Sequence, residues 1–228
     1  MSEQTNISPP PSDTAEAGPM RLVATLGLAG FFAGLLLVTG FVFTQPLIWA
    51  NKAEALRVAV YQVLQGCASY EQLVWDGKQL SIEPGPDGGL APVYLGRNAE
   101  GQVIGYAVVT EEPGFQDIIR AIYGYDPVSD QIIDMEILES KETPGLGDKI
   151  FKDDAFRGNF TALAVQPEIV SVKKGEKTQP NEVEAITGAT ISSKAVTRLL
   201  QKGMEAWRQP ILDLNAQGGA TGENTKTQ

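Results

Sequence analysis

Histidine is absent from the 228 residues, and cysteine occurs once, as Cys67. Without histidine the chain has no Ser-His catalytic pair, no histidine general base and no histidine metal ligand. A single cysteine cannot form an intramolecular disulfide, a CxxC redox pair or a four-cysteine iron–sulfur or zinc site. No metal site is therefore predicted, and any redox chemistry of this chain must come from an organic cofactor.

Positive charge is also scarce. The sequence has 18 Lys and Arg residues against 28 Asp and Glu residues, which gives a formal net charge of -10. An acidic surface repels the phosphate backbone of DNA and RNA, so the composition argues against a nucleic-acid partner.

Charge is missing altogether from residues 22–51, most of which are apolar or small. A helix needs about 20 such residues to cross a bilayer, whereas the apolar region of a cleaved signal peptide is usually about 7–15 residues long. We therefore predict an uncleaved transmembrane helix over 21–46. The flanking cations, Arg21 on one side and Lys52 and Arg57 on the other, do not define an orientation by the positive-inside rule.

Three further segments complete the predicted organisation. Residues 1–20 are rich in Pro, Ser and acidic side chains, a composition typical of a disordered leader. A domain is predicted over 50–210, after the membrane helix. The Gly-, Thr-, Asn- and Gln-rich end of the chain predicts a flexible tail over 211–228.

Within the predicted domain, helical spacing of apolar residues at 50–65 indicates an amphipathic helix that leaves the membrane. Apolar runs interrupted by turn residues at 93–109 and at 118–138 are typical of two hairpins. A last helix is predicted over 192–207. Strands that cluster between flanking helices, instead of alternating with them, indicate an α+β fold.

One motif that could carry chemistry is Thr-Gly-Ala-Thr at 187–190, just before the predicted last helix. Ser192 or Ser193 is predicted to be the N-cap of that helix. Free backbone N–H groups and the helix dipole favour a phosphate there, and the small residues leave the Thr190 hydroxyl accessible. By itself, however, the pattern is more typical of an ordinary turn between a strand and a helix.

A second motif is Glu-Thr-Pro-Gly-Leu-Gly at 142–147, directly after a predicted strand. Proline fixes the backbone and glycine allows close approach, so this loop could lie flat against a planar ligand, but it could equally be only a tight turn. It is not a P-loop, because no Gly-Lys-Ser/Thr follows, and it lacks the G-x-G-x-x-G pattern of a dinucleotide-binding turn.

The two motifs, in this order and after one membrane helix, resemble the FMN-binding domain family. The resemblance covers roughly residues 20–207. Known members of that family include the G subunit of Rnf electron-transport complexes and the C subunit of the sodium-pumping NADH:quinone reductase. The resemblance implies one N-terminal transmembrane helix followed by a single FMN-binding α+β domain on the extracytoplasmic side of the bacterial inner membrane.

In that family the last threonine of the Thr-Gly-Ala-Thr motif carries FMN through a phosphoester, which a flavin transferase installs from FAD. The resemblance therefore implies covalent FMN on Thr190. Glu142 is expected either to contact the flavin or to serve the backbone hydrogen bonds of its own loop. The remaining expected cofactor-binding residues are Thr187, Gly188, Ala189, Thr143, Gly145, Leu146 and Gly147.

The function implied is electron relay within an Rnf-type ion-translocating oxidoreductase complex, with the other subunits of the complex as partners. The equivalent subunit of a sodium-pumping quinone reductase, another respiratory flavoprotein and an unmodified membrane-tethered binding protein remain alternatives. Some family members have histidine directly before the Glu-Thr-Pro motif. Ser140 and Lys141 occupy those positions here, so no histidine can act at the flavin.

Overall fold

The computed structural model describes residues 18–82 and 89–217. Residues 1–17 of the predicted leader, residues 83–88, and residues 218–228 of the predicted tail lie outside the described residues.

The first helix, α1 (Pro19–Val63), is 45 residues long. Its length and apolar composition are sufficient to cross a membrane. The helix continues through Pro46, whereas the sequence predicted a transmembrane helix that ends there. Proline costs a helix one hydrogen bond and does not by itself end it. The chain divides into two compact units between Lys52 and Ala53, so the last turns of α1 belong to the second unit.

The second unit is built on a seven-stranded antiparallel sheet with the order β2-β1-β3-β4-β5-β6-β7. Both predicted hairpins are present, as the pairs β3–β4 and β5–β6. The strands of this sheet are β1 (Ser69–Trp75), β2 (Leu80–Ser81), β3 (Gly89–Arg97), β4 (Val103–Pro113), β5 (Ile118–Asp126), β6 (Gln131–Glu139) and β7 (Leu163–Ala164).

Short elements connect this sheet to a long final helix. After β6 come α2 (Lys149–Lys152), α3 (Asp154–Arg157) and a 3₁₀ turn (Gly158–Phe160). Two further strands, β8 (Val170–Val172) and β9 (Glu182–Glu184), form a separate parallel pair. The last helix, α4 (Thr190–Ala216), packs against β4 and β5. The predicted α+β fold is therefore confirmed.

The structure has two hydrophobic cores, one on each face of the sheet, and alternate side chains of β4 belong to each of them. Tyr106 and Val108 are buried in the cluster that includes the apolar face of α4. Ala107 and Val109 belong to a second cluster, on the other face, which includes Val60 from the end of α1. Successive strand residues point to opposite faces of a sheet, so a strand covered on both sides is apolar throughout.

The boundaries of α4 differ from the sequence prediction. The helix begins at Thr190 and not at Ser192, so neither Ser192 nor Ser193 is the N-cap. It also continues to Ala216, and Ile211 and Leu214 are buried, so the prediction of a flexible tail from 211 is wrong over 211–216. The reason is packing, because these apolar side chains extend the face of α4 that belongs to the hydrophobic core. Their burial stabilises the helix and offsets the hydrogen bond that is lost at Pro210.

Candidate functional site

The two sequence motifs meet in the structure. The loop after β6 and the start of α4 line a single cleft of about 310 Å³. Seven of the nine predicted site residues line it: Glu142, Thr143, Leu146, Gly147, Gly188, Ala189 and Thr190. The other two do not. Gly145 lies at the turn of the loop with a φ of 79°, and Thr187 lines a neighbouring cleft that Thr190 also borders.

Glu142 holds the loop in place. Its side chain is buried, and Oε1 accepts hydrogen bonds from the backbone N–H groups of Phe115 (2.9 Å) and Gln116 (3.0 Å). Oε2 accepts a hydrogen bond from Ser192 Oγ at the start of α4. Of the two roles expected for Glu142, the structure shows a backbone role, but the backbone belongs to the 114–117 turn and not to its own loop. The buried carboxylate is stabilised because three donors surround it.

Two further contacts join the loop to the same turn. Lys141 Nζ lies 2.7 Å from Asp117 Oδ2, and Thr143 Oγ1 donates to Gln116 Oε1 at 3.2 Å. The hydrogen bond from Lys141 lowers the pKa of Asp117 below its ordinary value. Lys141 therefore has a structural contact in this chain.

Glycine is required at one position of each motif, for two different reasons. A Cβ on Gly147 would lie 2.7 Å from Glu142 Oε2 and 3.0 Å from Ser192 Oγ. Gly188 has a φ of 85°, in the left-handed region that disfavours other residues. The close packing of the loop on α4 therefore depends on Gly147, and the turn before α4 depends on Gly188.

Thr190 is exposed at the first position of α4. Its N-cap, Ala189, has no side-chain hydrogen bond to offer. Ser193 satisfies nearby backbone groups instead: its Oγ donates to Ala189 O (2.9 Å) and accepts from the Ile186 N–H (3.0 Å). The N–H groups of a first helical turn lack partners within the helix, so the Thr190 hydroxyl stands beside a position that favours a phosphate.

Three cleft residues were missed by the sequence motifs: Phe115, Ile191 and Ser192. Phe115 is 64% exposed and Ile191 is 53% exposed, and with Leu146 (50%) they form the apolar walls of the cleft. Large apolar side chains that remain exposed around a concavity are typical of a site for a planar apolar group. Ile191 and Ser192 adjoin the motif, but nothing in the sequence linked Phe115 to it.

A comparison with known families defines the class of protein. Residues 114–205 match the FMN-binding domain family, and this span contains both motifs and Phe115. The residues present fit the cofactor, because an apolar cleft suits a planar ring and an adjoining helix start suits a phosphate. The second unit of the chain is thus an FMN-binding domain, and the predicted cofactor is confirmed.

Solved structures support the same fold. The crystal structure of NqrC from Shewanella oneidensis aligns with a TM-score of 0.60 at 18% identity, and covers 73% of this chain and 99% of that chain. The C subunit of the Na(+)-translocating NADH-quinone reductase from Parabacteroides distasonis aligns with a TM-score of 0.54, also at 18% identity, and covers 72% of this chain and 95% of that one. At this identity the likeness shows the fold alone.

Sequence relatives identify the family more closely. The G subunit of the Na(+)-translocating ferredoxin:NAD(+) oxidoreductase complex of Acetobacterium woodii is 32% identical over 197 residues, which are 82% of this chain and 93% of that protein. The G subunit of the ion-translocating oxidoreductase complex of Methanosarcina acetivorans is 28% identical over 185 residues, 81% and 92% of the two chains. The chain belongs to the family of G subunits of ion-translocating oxidoreductase complexes. Its apolar N-terminal helix is accordingly a membrane anchor.

Proposed function

We propose that this chain relays electrons through an FMN attached covalently to Thr190, within an Rnf-type ion-translocating oxidoreductase complex. The observation that carries the proposal is the position of Thr190. Its exposed hydroxyl lies at the start of α4 and at the edge of an apolar cleft, where one ligand can place its phosphate and its ring together.

Different residues would hold the two parts of the cofactor. Phe115, Leu146 and Ile191 would cover the ring system, and the first turn of α4 would face the phosphate. Glu142 would position the cleft without contacting the reacting atoms, because its oxygens already accept hydrogen bonds from the protein. FMN, when bound, supplies the exchange of electrons, and the protein supplies position and environment.

A covalent link suits a membrane-anchored carrier outside the cytoplasm, because a dissociated cofactor would be lost there. We place the FMN-binding domain on the extracytoplasmic side of the bacterial inner membrane. The partners are the other subunits of the complex and, during maturation, a flavin transferase. The relatives named as G subunits favour an Rnf-type complex over a sodium-pumping quinone reductase.

The attachment can be tested by co-producing the full chain with a flavin transferase, and examining the denatured protein on a gel under ultraviolet light. We expect a fluorescent band for the unchanged chain and for Thr187→Ala, and none for Thr190→Ala. A fluorescent band that persists in Thr190→Ala would contradict the site assignment. The relay is tested in the assembled complex, where Thr190→Ala should abolish electron transfer while the other subunits remain bound.

A further inference from the structure

The apolar cleft between the 142–147 loop and the start of α4 contains one charge, and that charge is negative. Among the described residues that line this cleft, Glu142 is the only Asp, Glu, Lys or Arg. Glu142 is 5% exposed, so water has little access to its carboxylate. A flavin ring in the cleft would therefore lie beside a buried anion, which solvent and salt screen much less than a surface charge.

The surroundings of Glu142 stabilise its carboxylate without neutralising it. The backbone N–H groups of Phe115 and Gln116 donate to Oε1 at 2.9 and 3.0 Å. The Ser192 hydroxyl donates to Oε2. All three donors are uncharged, and they suit the ionised form, because a protonated carboxyl group would direct its own hydrogen at one of them. Among the residues that the structure describes, no Lys or Arg forms an ion pair with Glu142, so its negative charge is uncompensated.

A second buried carboxylate, at the end of β4, is neutralised in a way that Glu142 is not. Glu112 is 7% exposed and precedes Phe115 by three positions. Arg198 Nε lies 3.3 Å from one of its oxygens, and Lys202 Nζ lies 2.7 Å from the other. Buried charges in proteins are usually paired with opposite charges. An unpaired one at the wall of a cofactor cleft therefore indicates a role towards the cofactor.

Two lysines in the segments around the cleft are exposed and do not offset this charge. Lys141 lies 2.7 Å from Asp117, and its side chain is 82% exposed. Lys194 is exposed and lines the neighbouring cleft that Thr190 also borders. Water and salt screen exposed charges of this kind, whereas they screen a buried carboxylate much less.

Reduction of a flavin places negative charge on its ring. When the neutral ring takes up two electrons from its donor and one proton from solvent, it becomes a singly charged anion. A fixed anion beside the ring repels this charge, and the repulsion is stronger in a buried apolar site than in water. Charge near the ring is one of the means by which a protein tunes a flavin. An uncompensated carboxylate at this position therefore disfavours the reduced form.

We propose that the buried carboxylate of Glu142 lowers the midpoint potential of the bound FMN, and so makes the reduced cofactor a stronger reductant. This inference rests on the placement of the flavin ring in the apolar cleft, as proposed above. Glu142 acts through its electric field and exchanges neither a proton nor an electron with the ring. Its hydrogen bonds to three segments of the cleft fix the distance between the charge and the ring.

The direct test is a redox titration of the full chain, loaded with FMN by co-production with a flavin transferase and followed by flavin absorbance. Glu142→Gln should raise the midpoint potential. At the midpoint potential of the unchanged chain, the ratio of reduced to oxidised flavin should increase by about fivefold or more. Glu139→Gln is the matched control, because the same charge is lost at an exposed position outside the cleft, and it should change the ratio much less.

A second substitution at the same position separates charge from fit. Glu142→Asp keeps the negative charge but shortens the side chain by one methylene group, so it disturbs the hydrogen bonds while the potential stays close to that of the unchanged chain. An unchanged potential in Glu142→Gln, or an equal rise in Glu142→Asp, would overturn the proposal.

A third pair of variants leaves the buried hydrogen bonds intact. Leu146 is 50% exposed at the wall of the cleft, so Leu146→Lys and Leu146→Gln should both fold and retain FMN. The lysine variant should have the higher midpoint potential of the two, because a cation at the wall offsets the anion of Glu142. Equal potentials would show that the ring does not sense charge at this cleft, and would overturn the proposal even if Glu142→Gln did not load FMN.

Iodide quenching of flavin fluorescence in Phe115→Ala reports the position of the ring independently. Stronger quenching in Phe115→Ala without a change of potential in Glu142→Gln would overturn the electrostatic role and leave the ring in the apolar cleft. No change in either measurement would overturn both the electrostatic role and the placement of the ring.

Discussion

The buried carboxylate of Glu142 accepts a hydrogen bond from Ser192 Oγ, across 50 positions of sequence. The same carboxylate accepts the backbone N–H groups of Phe115 and Gln116. One side chain thus joins the loop after β6, the turn between β4 and β5, and the first turn of α4. These three segments are the walls of the proposed flavin cleft, so Glu142 is its central structural residue.

Glu142→Gln should lower the free energy of unfolding by about 1–3 kcal/mol. Glutamine keeps the size of the side chain, but its NH₂ group replaces one of the two oxygens that accept hydrogen bonds from Phe115, Gln116 and Ser192. The free energy of unfolding can be measured by denaturant titration of the detergent-solubilised chain. Tryptophan fluorescence is a suitable probe, because Trp75 and Trp207 are in contact, with ring centroids 5.5 Å apart.

Glu139→Gln is the matched control for that change. Glu139 is exposed and pairs with Arg120 at 3.7 Å, so losing its charge should cost less than about 1 kcal/mol. If both variants lost the same stability, Glu142 would not have the role assigned to it.

Gly147→Ala should lower the free energy of unfolding by about 1–3 kcal/mol and slow flavin attachment, because the new methyl group meets Glu142 and Ser192. Gly158→Ala is the control. Gly158 has ordinary helical angles and open space around its Cα, so this change should be neutral or slightly stabilising. A Gly147→Ala protein with unchanged stability and attachment rate would show that the loop does not pack as described.

Phe115→Ala should leave the stability almost unchanged, because the ring is 64% exposed, but it should open one wall of the cleft. In the flavin-loaded chain, we expect iodide to quench flavin fluorescence more strongly than in the unchanged protein. Val128→Ala, at a side chain that is 87% exposed and outside the cleft, is the control. Identical quenching in all three proteins would place the ring of the flavin elsewhere.

Much of the site could be predicted because its chemistry is local in sequence. The Thr-Gly-Ala-Thr turn and the Glu-Thr-Pro-Gly-Leu-Gly loop each have a composition that favours a turn with close approach, and seven of nine predicted residues line the cleft. Phe115 could not be predicted in this way. It precedes Glu142 by 27 positions, and only the pairing of β4, β5 and β6 brings the two together.

The start of α4 shows a different limit of sequence reasoning. Serine is a preferred N-cap, so Ser192 and Ser193 were predicted for that role. In the structure their hydroxyls bond to Glu142 and to Ala189, because both side chains are buried against other segments. The helix begins at Thr190 because of tertiary contacts, and a local sequence pattern does not contain these contacts.

The ion pair of Asp130 predicts a pH dependence of stability. Arg208 Nε and Nη2 lie 2.8 and 2.7 Å from the two Asp130 oxygens, and this interaction lowers the pKa of Asp130 below its ordinary value. A depressed pKa means that the stabilisation is present above the unfolded pKa, near 3.9, and is lost as the pH falls through the folded value.

Asp130→Asn should therefore cost about 1 kcal/mol at neutral pH, a modest value because the pair is partly exposed. The difference between the two proteins should shrink below about pH 4. Asn suits this position, since residue 130 has a φ of 55°. Unfolding titrations across this range provide the test, and a difference that does not change with pH would contradict the assignment.

The central claim is the position of the flavin. Trypsin should release residues 178–194 of the full chain as one peptide, because no Lys or Arg lies between Lys177 and Lys194. Fragment masses from the chain purified from its own membranes should place one FMN, less one water, on Thr190. The modification on Thr187 or Ser192, or no flavin on this peptide, would contradict the account.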